Sequence, residues 1–392
     1  MSRACGWQIL IRVTAIISVG SWVKRTLSIF IATKRVLPGG VPLNYSISAQ
    51  VWRLSGLSCC LLLLNGCGIS FLWHVSMGQL GLLTGQQRVE AILQDGTLSE
   101  KDRKQLRLAL DARQFAIDHI GLNADRSYTQ FVNVDRPYVV YGLSAAPQDA
   151  LKPYTWRFPI IGRVPYKGYF KKELALREAE TLQDRGYDTY VRGVRAYSTL
   201  GYFNDPILST MLGYHEFSLI NTIIHELVHR TVWIQGSVSF NESFASFVAD
   251  KGVQAYLTHR DGENAPSYQL YQDIRADRRV FRTYMLGIVS QLDALYREPI
   301  SREAKLERRQ AIFEAARTNY PSVFPKMKTK SYRRYFEGRQ LNNAVLLSFR
   351  RYHRDTSFFE DALTANGGDL RRMIVAFKKL GKEDIPASFR TR

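Results

Sequence analysis

The stretch "IIHELVHRTVWIQGSVSFNESFA", residues 223–245, holds two histidines four positions apart with a glutamate following the first. A glycine and a second apolar-patterned run containing Asn241-Glu242 come after them. On an α-helix, residues four apart stand one above the other on a single face. His225 and His229 can therefore aim both imidazoles at one ion, with Glu226 beside them. Ile223, Ile224, Leu227 and Val228 are apolar, which suits a helix buried beneath a cleft. Arg230 departs from this pattern, because a charged residue there sits badly on a buried helix.

Two neutral imidazoles and a carboxylate are the donors zinc takes when cysteine is absent, and zinc lowers the pKa of bound water to about 7. A neighbouring carboxylate can then take a proton from that water, which makes Glu226 the candidate general base. The third ligand is sought downstream. A helix running about six residues past His229 rises roughly 9 Å to Gly236, a residue suited to ending it. Ser237 to Phe240 can return the chain about 13 Å when extended. Asn241-Glu242 would then open the next helix near the ion. Glu242 is the candidate third ligand; the other reading is a carboxylate that merely favours the helix dipole. Ser246 and Asp250 share its face and are candidates to orient a histidine. This gives one zinc per chain.

Composition sets the frame. The chain has 392 residues, 45% hydrophobic and 23% charged, enough for a substantial core. The net charge is +19, but residues 1–66 carry seven basic residues and no acidic one. That leaves 47 basic and 35 acidic residues, a balance of +12, over 67–392. Much of it lies in mixed-sign stretches such as "SREAKLERRQ", which read as solvated helix faces. A basic balance also suits a protein near an anionic membrane surface. No nucleic-acid-binding motif occurs, so nucleic acid is not an expected partner. All four cysteines, Cys5, Cys59, Cys60 and Cys67, precede residue 68, which excludes disulfides and cysteine-built zinc sites from the body of the chain.

The N-terminus reads as an address. "VWRLSGLSCCLLLLNGCGIS" has a basic flank, an apolar run too short to span a bilayer comfortably, and small residues before a cut site. Leu64-Asn65-Gly66-Cys67 resembles the bacterial lipobox, with Asn65 where small residues are commoner. By that resemblance Cys67 is lipidated and begins the mature chain, and Gly68 after it favours the outer membrane. Residues 1–66 are thus an extension plus signal peptide, and 67–392 one catalytic domain. Residues 1–50 are expected to precede a true start near Val51; a long basic region or an extra membrane-associated segment is the alternative.

Within 67–392, the apolar stripes Val89, Ile92, Leu93 and Leu106, Leu110, Ile117, Ile120 predict two helices over 86–123, with Ser99 as an N-cap. "PYVVYGLSA", "YTWRFPIIG" and "YDTYVRGV" predict strands, and "KKELALREAETLQDRG" a helix ended by Gly186. Helices follow from about 207 onward. The expected class is α+β, mostly helical, with a small sheet before the active helix.

His-Glu-x-x-His followed by a helix-borne glutamate resembles the gluzincin metallopeptidases, of which thermolysin is the familiar example. The gap from His229 to Glu242 is shorter than in thermolysin-like members. "AYSTLGYFNDPILSTML", "IIHELVHR", "FNESFASFV" and "LNNAVLLSFRRY" look more narrowly like the predicted zinc aminopeptidase family of proteobacteria. "PYVVYGLSAAP", "TWRFPIIGRVPYKGYF" and "RQFA" extend the likeness over nearly all of 70–390. Relatives often carry cysteines where Arg157 and Arg163 stand here, so a local disulfide would be absent. The resemblance implies a zincin-like fold, with His225, His229 and Glu242 as ligands and Glu226 as catalytic base.

Other candidates are less sharply drawn. A donor that stabilises developing negative charge opposite Glu226 could be Tyr202, His215, Tyr352 or His353, each of which could equally be a packed core residue. Asp205, in "YFNDP", could bind a substrate ammonium group or cap a turn. Asn342 and Asn343 could hold a substrate backbone or cap the helix that follows. The expected protein is a periplasm-facing envelope lipoprotein with zinc aminopeptidase activity on peptides. The alternatives are a zinc endopeptidase acting on envelope proteins and a non-catalytic lipoprotein with structural zinc.

Overall fold

A helix that is apolar on every side must lie inside the protein. Glu216–Thr231 approaches that case: Phe217, Leu219, Ile220 and every residue from Thr222 to His229 are buried, polar ones included, while Ser218, Asn221 and Arg230 keep partial exposure. The structure, a computed structural model, describes residues 67–158, 162–196, 198, 204–351 and 356–389. It is mostly helical (60%) with small sheets, an α+β arrangement.

The described chain falls into two units. The smaller contains helix α1 (Cys67–Thr84) and residues 157–158 and 162–164 of a two-stranded pairing, in which Phe71 packs on Phe158 with ring centroids 5.5 Å apart. No described helix is long and apolar enough to cross a membrane. The larger unit takes Gly85–Trp156 and everything from Pro165 onward, including the HExxH helix.

In the larger unit the short strand β1 (Gln87–Arg88) leads into α2 (Val89–Gln94) and α3 (Glu100–Phe115). Ser99 caps α3 as its sequence predicts: its Oγ accepts from the Asp102 N–H at 3.1 Å and donates to the Asp102 carboxylate at 2.7 Å. The helix continues as one π-turn, Ala116–Ile120, and stops at Gly121 with φ of 79°. After it come β2 (Gln130–Val132), β3 (Val140–Pro147) and β6 (Lys167–Tyr169), the smaller unit's pairing of β4 (Trp156–Phe158) with β5 (Gly162–Val164) falling between β3 and β6 along the chain. Next are α4 (Lys172–Asp184), ended at Gly186 in the left-handed region, β7 (Tyr187–Val194) and β8 (Ile207–Leu208). Strand β3 pairs antiparallel with β6 and with the full length of β7. A second sheet, β1-β2-β8, joins β2 to β8 in parallel, with Phe131 opposite Ile207.

The remaining chain is helical: α5 (Glu216–Thr231), α6 (Val238–Asp261), α7 (Pro266–Arg297), α8 (Arg302–Asn319), α9 (Asn343–Arg351), α10 (Ser357–Ala365) and α11 (Leu370–Phe377). One departure from expectation matters for the site. Helix α5 ends at Thr231, and Gly236 instead turns the loop between α5 and α6 with φ of 76°. Thr231 and Val232 are β-branched, a poor continuation of a helix. The Thr231 hydroxyl bonds back to the Leu227 carbonyl at 2.6 Å, and Val232 is extended. Glu242 therefore sits in the second turn of α6 rather than opening it.

Candidate metal centre

Helices α5 and α6 pack closely where Gly252 removes a side chain. A Cβ at 252 would stand 2.9 Å from Ile224 Cδ1 and 3.0 Å from Ile120 Cδ1. That contact lays the first turns of α6 against the last turns of α5. The loop between them is locked by Asn241, whose Oδ1 accepts from the Ile234 N–H at 2.9 Å while its Nδ2 donates to the Ile234 carbonyl at 2.8 Å. The residue after this clamp is Glu242.

The result is three donors aimed at one point. His225 Nε2 and His229 Nε2 are 3.1 Å apart, and Glu242 Oε2 lies 3.6 Å from the first and 3.8 Å from the second. All three side chains are buried, and Glu242 Oε2 has no hydrogen-bond partner among the described residues. Three electron-rich atoms crowded together away from water repel unless a cation lies among them. A tetrahedral ion with bonds of about 2.1 Å separates its ligands by about 3.4 Å, and the three distances straddle that value. This donor set fits a metal ion of the zinc type.

The charges respond accordingly. Burial would raise the Glu242 carboxyl, but the His229 and His225 imidazoles beside it hold it well below the usual carboxylate range. Glu226, 3% exposed, shows the opposite balance. Burial pushes its carboxyl up to about 7, His225 opposes this, Asp205 and Glu242 reinforce it, and a Ser198 hydrogen bond lowers it again. A carboxylate poised near neutrality can take a proton and give it back. Trp233 stacks edge-on against His229 at 5.5 Å and is 36% exposed, so it walls the site toward solvent.

Asp205 also belongs here. It is buried, accepts from Ser198 Oγ at 2.9 Å, and acts electrostatically on Glu226. Ser198 thus stands between the two carboxylates, a link that no sequence spacing announces.

Other candidates lie elsewhere. His215 is the N-cap of α5, its ring nitrogen accepting from the Phe217 N–H at 3.4 Å. Ten residues of helix, about 15 Å, separate it from His225. Asp250 reaches no histidine among the described residues. It accepts from Arg275 at 2.8 Å, Arg278 at 3.0 Å and Tyr271 at 2.9 Å, tying α6 to α7. Ser246, one turn beyond Glu242, shows no bond to a histidine. His229 Nδ1 is buried with no partner among the described residues. Asn342 caps α9 by accepting from the Val345 N–H at 2.9 Å. The Asn343 side chain donates to the Pro147 carbonyl at 2.9 Å and accepts from Tyr296 at 2.9 Å, so it holds β3 to α9 rather than a substrate. Tyr202, Tyr352, His353 and the lipobox residues before Cys67 lie outside the described residues.

Two residues near Glu226 escaped the sequence reading. Tyr128 and Tyr214 are both buried, and each feels the Glu226 carboxylate. Both stand in loops without periodicity, so no spacing along the chain marks them.

No curated protein and no solved structure matches the chain. A family model described as "Putative aminopeptidase" matches residues 70–391, which contain every residue of this site, and the chain therefore belongs to that peptidase family.

Proposed function

We propose that this protein is a zinc-dependent aminopeptidase, lipid-anchored through Cys67 and facing the periplasm from the outer membrane of a bacterial envelope. The observation that carries the enzymatic part is the convergence of His225, His229 and Glu242 on one point, with the Glu226 carboxylate beside it. Three protein donors leave a coordination position open, as catalytic sites do, whereas structural zinc is usually closed by four. The motif helix followed by a helix-borne glutamate supports a zincin-like arrangement of gluzincin type. Bound zinc supplies Lewis acidity toward water and toward a peptide carbonyl. Glu226 takes the proton of the attacking water and passes it to the departing amine. Burial of Glu226 keeps bulk solvent from competing for that proton. Asp205, bonded by Ser198 Oγ and coupled electrostatically to Glu226, is the carboxylate we assign to the ammonium group of a free N-terminus. The family's description favours the exopeptidase over an endopeptidase on the same site. The envelope address rests on the lipobox-like Leu64-Asn65-Gly66-Cys67.

The test is a digestion of mixed peptides by the purified, zinc-loaded chain, with the same peptides N-acetylated in parallel and products read by mass. Free peptides are expected to lose their N-terminal residues while acetylated ones survive. Cleavage of acetylated peptides would replace the aminopeptidase reading with the endopeptidase one. Glu226→Gln should keep one zinc per chain and lose about 10³-fold in turnover. Unchanged turnover in that variant would remove Glu226 from the mechanism.

A further inference from the structure

Tyr128 has three properties that rarely coincide. Its backbone is left-handed, with φ of 62°, a conformation that a bulky aromatic residue adopts only under constraint. Its side chain is 2% exposed. Its hydroxyl lies within electrostatic reach of the Glu226 and Asp205 carboxylates. Strain of this kind persists only where the surroundings enforce it, and it concentrates at functional sites.

Here the surroundings do enforce it. The Tyr128 N–H donates to the Asp205 carbonyl at 2.7 Å, and the Asp205 N–H donates to Ser127 Oγ at 3.1 Å. These bonds prolong the parallel pairing of β2 with β8 beyond the N-terminal ends of both strands. From the other side Arg113 holds the Ser127 and Asp125 carbonyls, each at 2.7 Å. The HExxH helix itself grips the loop. Arg230 Nη2 donates to Asp125 Oδ2 at 2.8 Å, and the Thr231 hydroxyl accepts from the Asn123 N–H at 2.8 Å. Arg230, out of place by the pattern of a buried helix, is thus the residue that ties this loop to the metal-binding helix. Burial, then the carboxylates of Glu226 and Asp205, push the Tyr128 hydroxyl well above the usual tyrosine value, so it keeps its proton. The neighbouring Tyr214 hydroxyl is already engaged by the Ala196 backbone.

We propose that Tyr128 is a catalytic residue whose hydroxyl donates a hydrogen bond to the scissile carbonyl oxygen as that oxygen gains negative charge, with Asp125 and Arg230 as its positioning residues. The proposal rests on the peptidase reading above. A donor held rigidly in advance, in a site closed to water, stabilises charge that develops only during reaction.

The experiment compares the zinc-loaded chain with Tyr128→Phe, which keeps the ring and the same backbone demand. Expected are a kcat lower by about 100-fold with KM little changed, and an affinity for a phosphinic peptide analogue reduced by a similar factor. Affinity for the product peptide, zinc content by mass spectrometry and melting temperature should stay as they were. Asp125→Ala should give a smaller loss of the same kind that adds little in the Tyr128→Phe background. It carries the test if Tyr128→Phe fails to fold. Tyr214→Phe should leave the ratio of analogue to product affinity unchanged. Unchanged kcat and analogue affinity in Tyr128→Phe overturn the proposal, and so does an equal loss of analogue and product affinity. If the unaltered chain cleaves no peptide, the peptidase reading falls and this proposal with it.

Discussion

Asn241 shows how much one side chain can decide. Its amide satisfies both backbone groups of Ile234, a pairing that strands provide by repetition and that this loop gets from a single residue. Asn241→Ala leaves a buried N–H and a buried carbonyl without partners, each worth about 1–3 kcal/mol. A loss of about 2–4 kcal/mol in urea-unfolding stability is expected. Because Glu242 is the next residue, metal affinity should fall as well, read by competition with a chelator. Asn241→Asp retains the acceptor for Ile234 N–H but sets a carboxylate against the Ile234 carbonyl, so it should not restore stability. Full stability in Asn241→Ala would mean that helix packing alone holds the loop.

Between elements, the decisive contacts are the α5–α6 crossing and the α6–α7 tie. At the crossing, Gly252→Val forces branched carbons against Ile224 and Ile120. Overpacking of this sort costs about 1–3 kcal/mol, and here it also spreads the helices that carry the donors. Gly252→Ala should cost less, since it sets one methyl, with no branch beyond it, against Ile120 Cδ1 and the Cδ1 and Cγ2 of Ile224. Loss of zinc from the valine variant at unchanged Glu242 is the outcome to measure. At the tie, burial would raise the Asp250 carboxyl, but Arg278 and Arg275, with Tyr271 donating, hold it below its usual 3.8. A group with a lowered folded value adds stability above the unfolded value and loses it as pH falls through the folded one. Asp250→Ala should therefore cost about 1–3 kcal/mol near neutrality, because Arg275, Arg278 and Tyr271 each lose a hydrogen bond to its carboxylate. It should also flatten the decline of stability below about pH 3.8. An acid limb identical to that of the unaltered chain would assign the decline to other carboxylates.

At the scale of the whole molecule, the proposed metal binding would be coupled to folding, because the three donors come from two helices and meet only in the folded chain. An ion that binds the native state alone stabilises it by about 4 kcal/mol at a thousandfold excess over Kd. Chelation should lower the melting temperature reversibly, and added zinc should restore it. Glu242→Gln should show neither response. A melting temperature indifferent to chelator would mean that the donors hold no ion at all.

Local pattern and local chemistry were enough to read the α+β class, the Ser99 cap, the stop at Gly186, the strands around 140 and 190, and a helix that stacks His225 on His229. Those features depend on residues a few positions apart, where helix and strand periods leave a direct imprint. The end of α5 was misread because Gly236 looked like a helix stop, while the β-branched pair Thr231-Val232 ended the helix earlier. Only the tertiary structure brought Glu242 within 4 Å of both histidines, sent Asp250 to arginines and Asn343 to β3. It alone set Tyr128 beside Asp205, 77 residues away, through a parallel pairing of two strands only two and three residues long. Strands that short carry no period to detect, and no spacing along the chain records which loop a buried helix will hold.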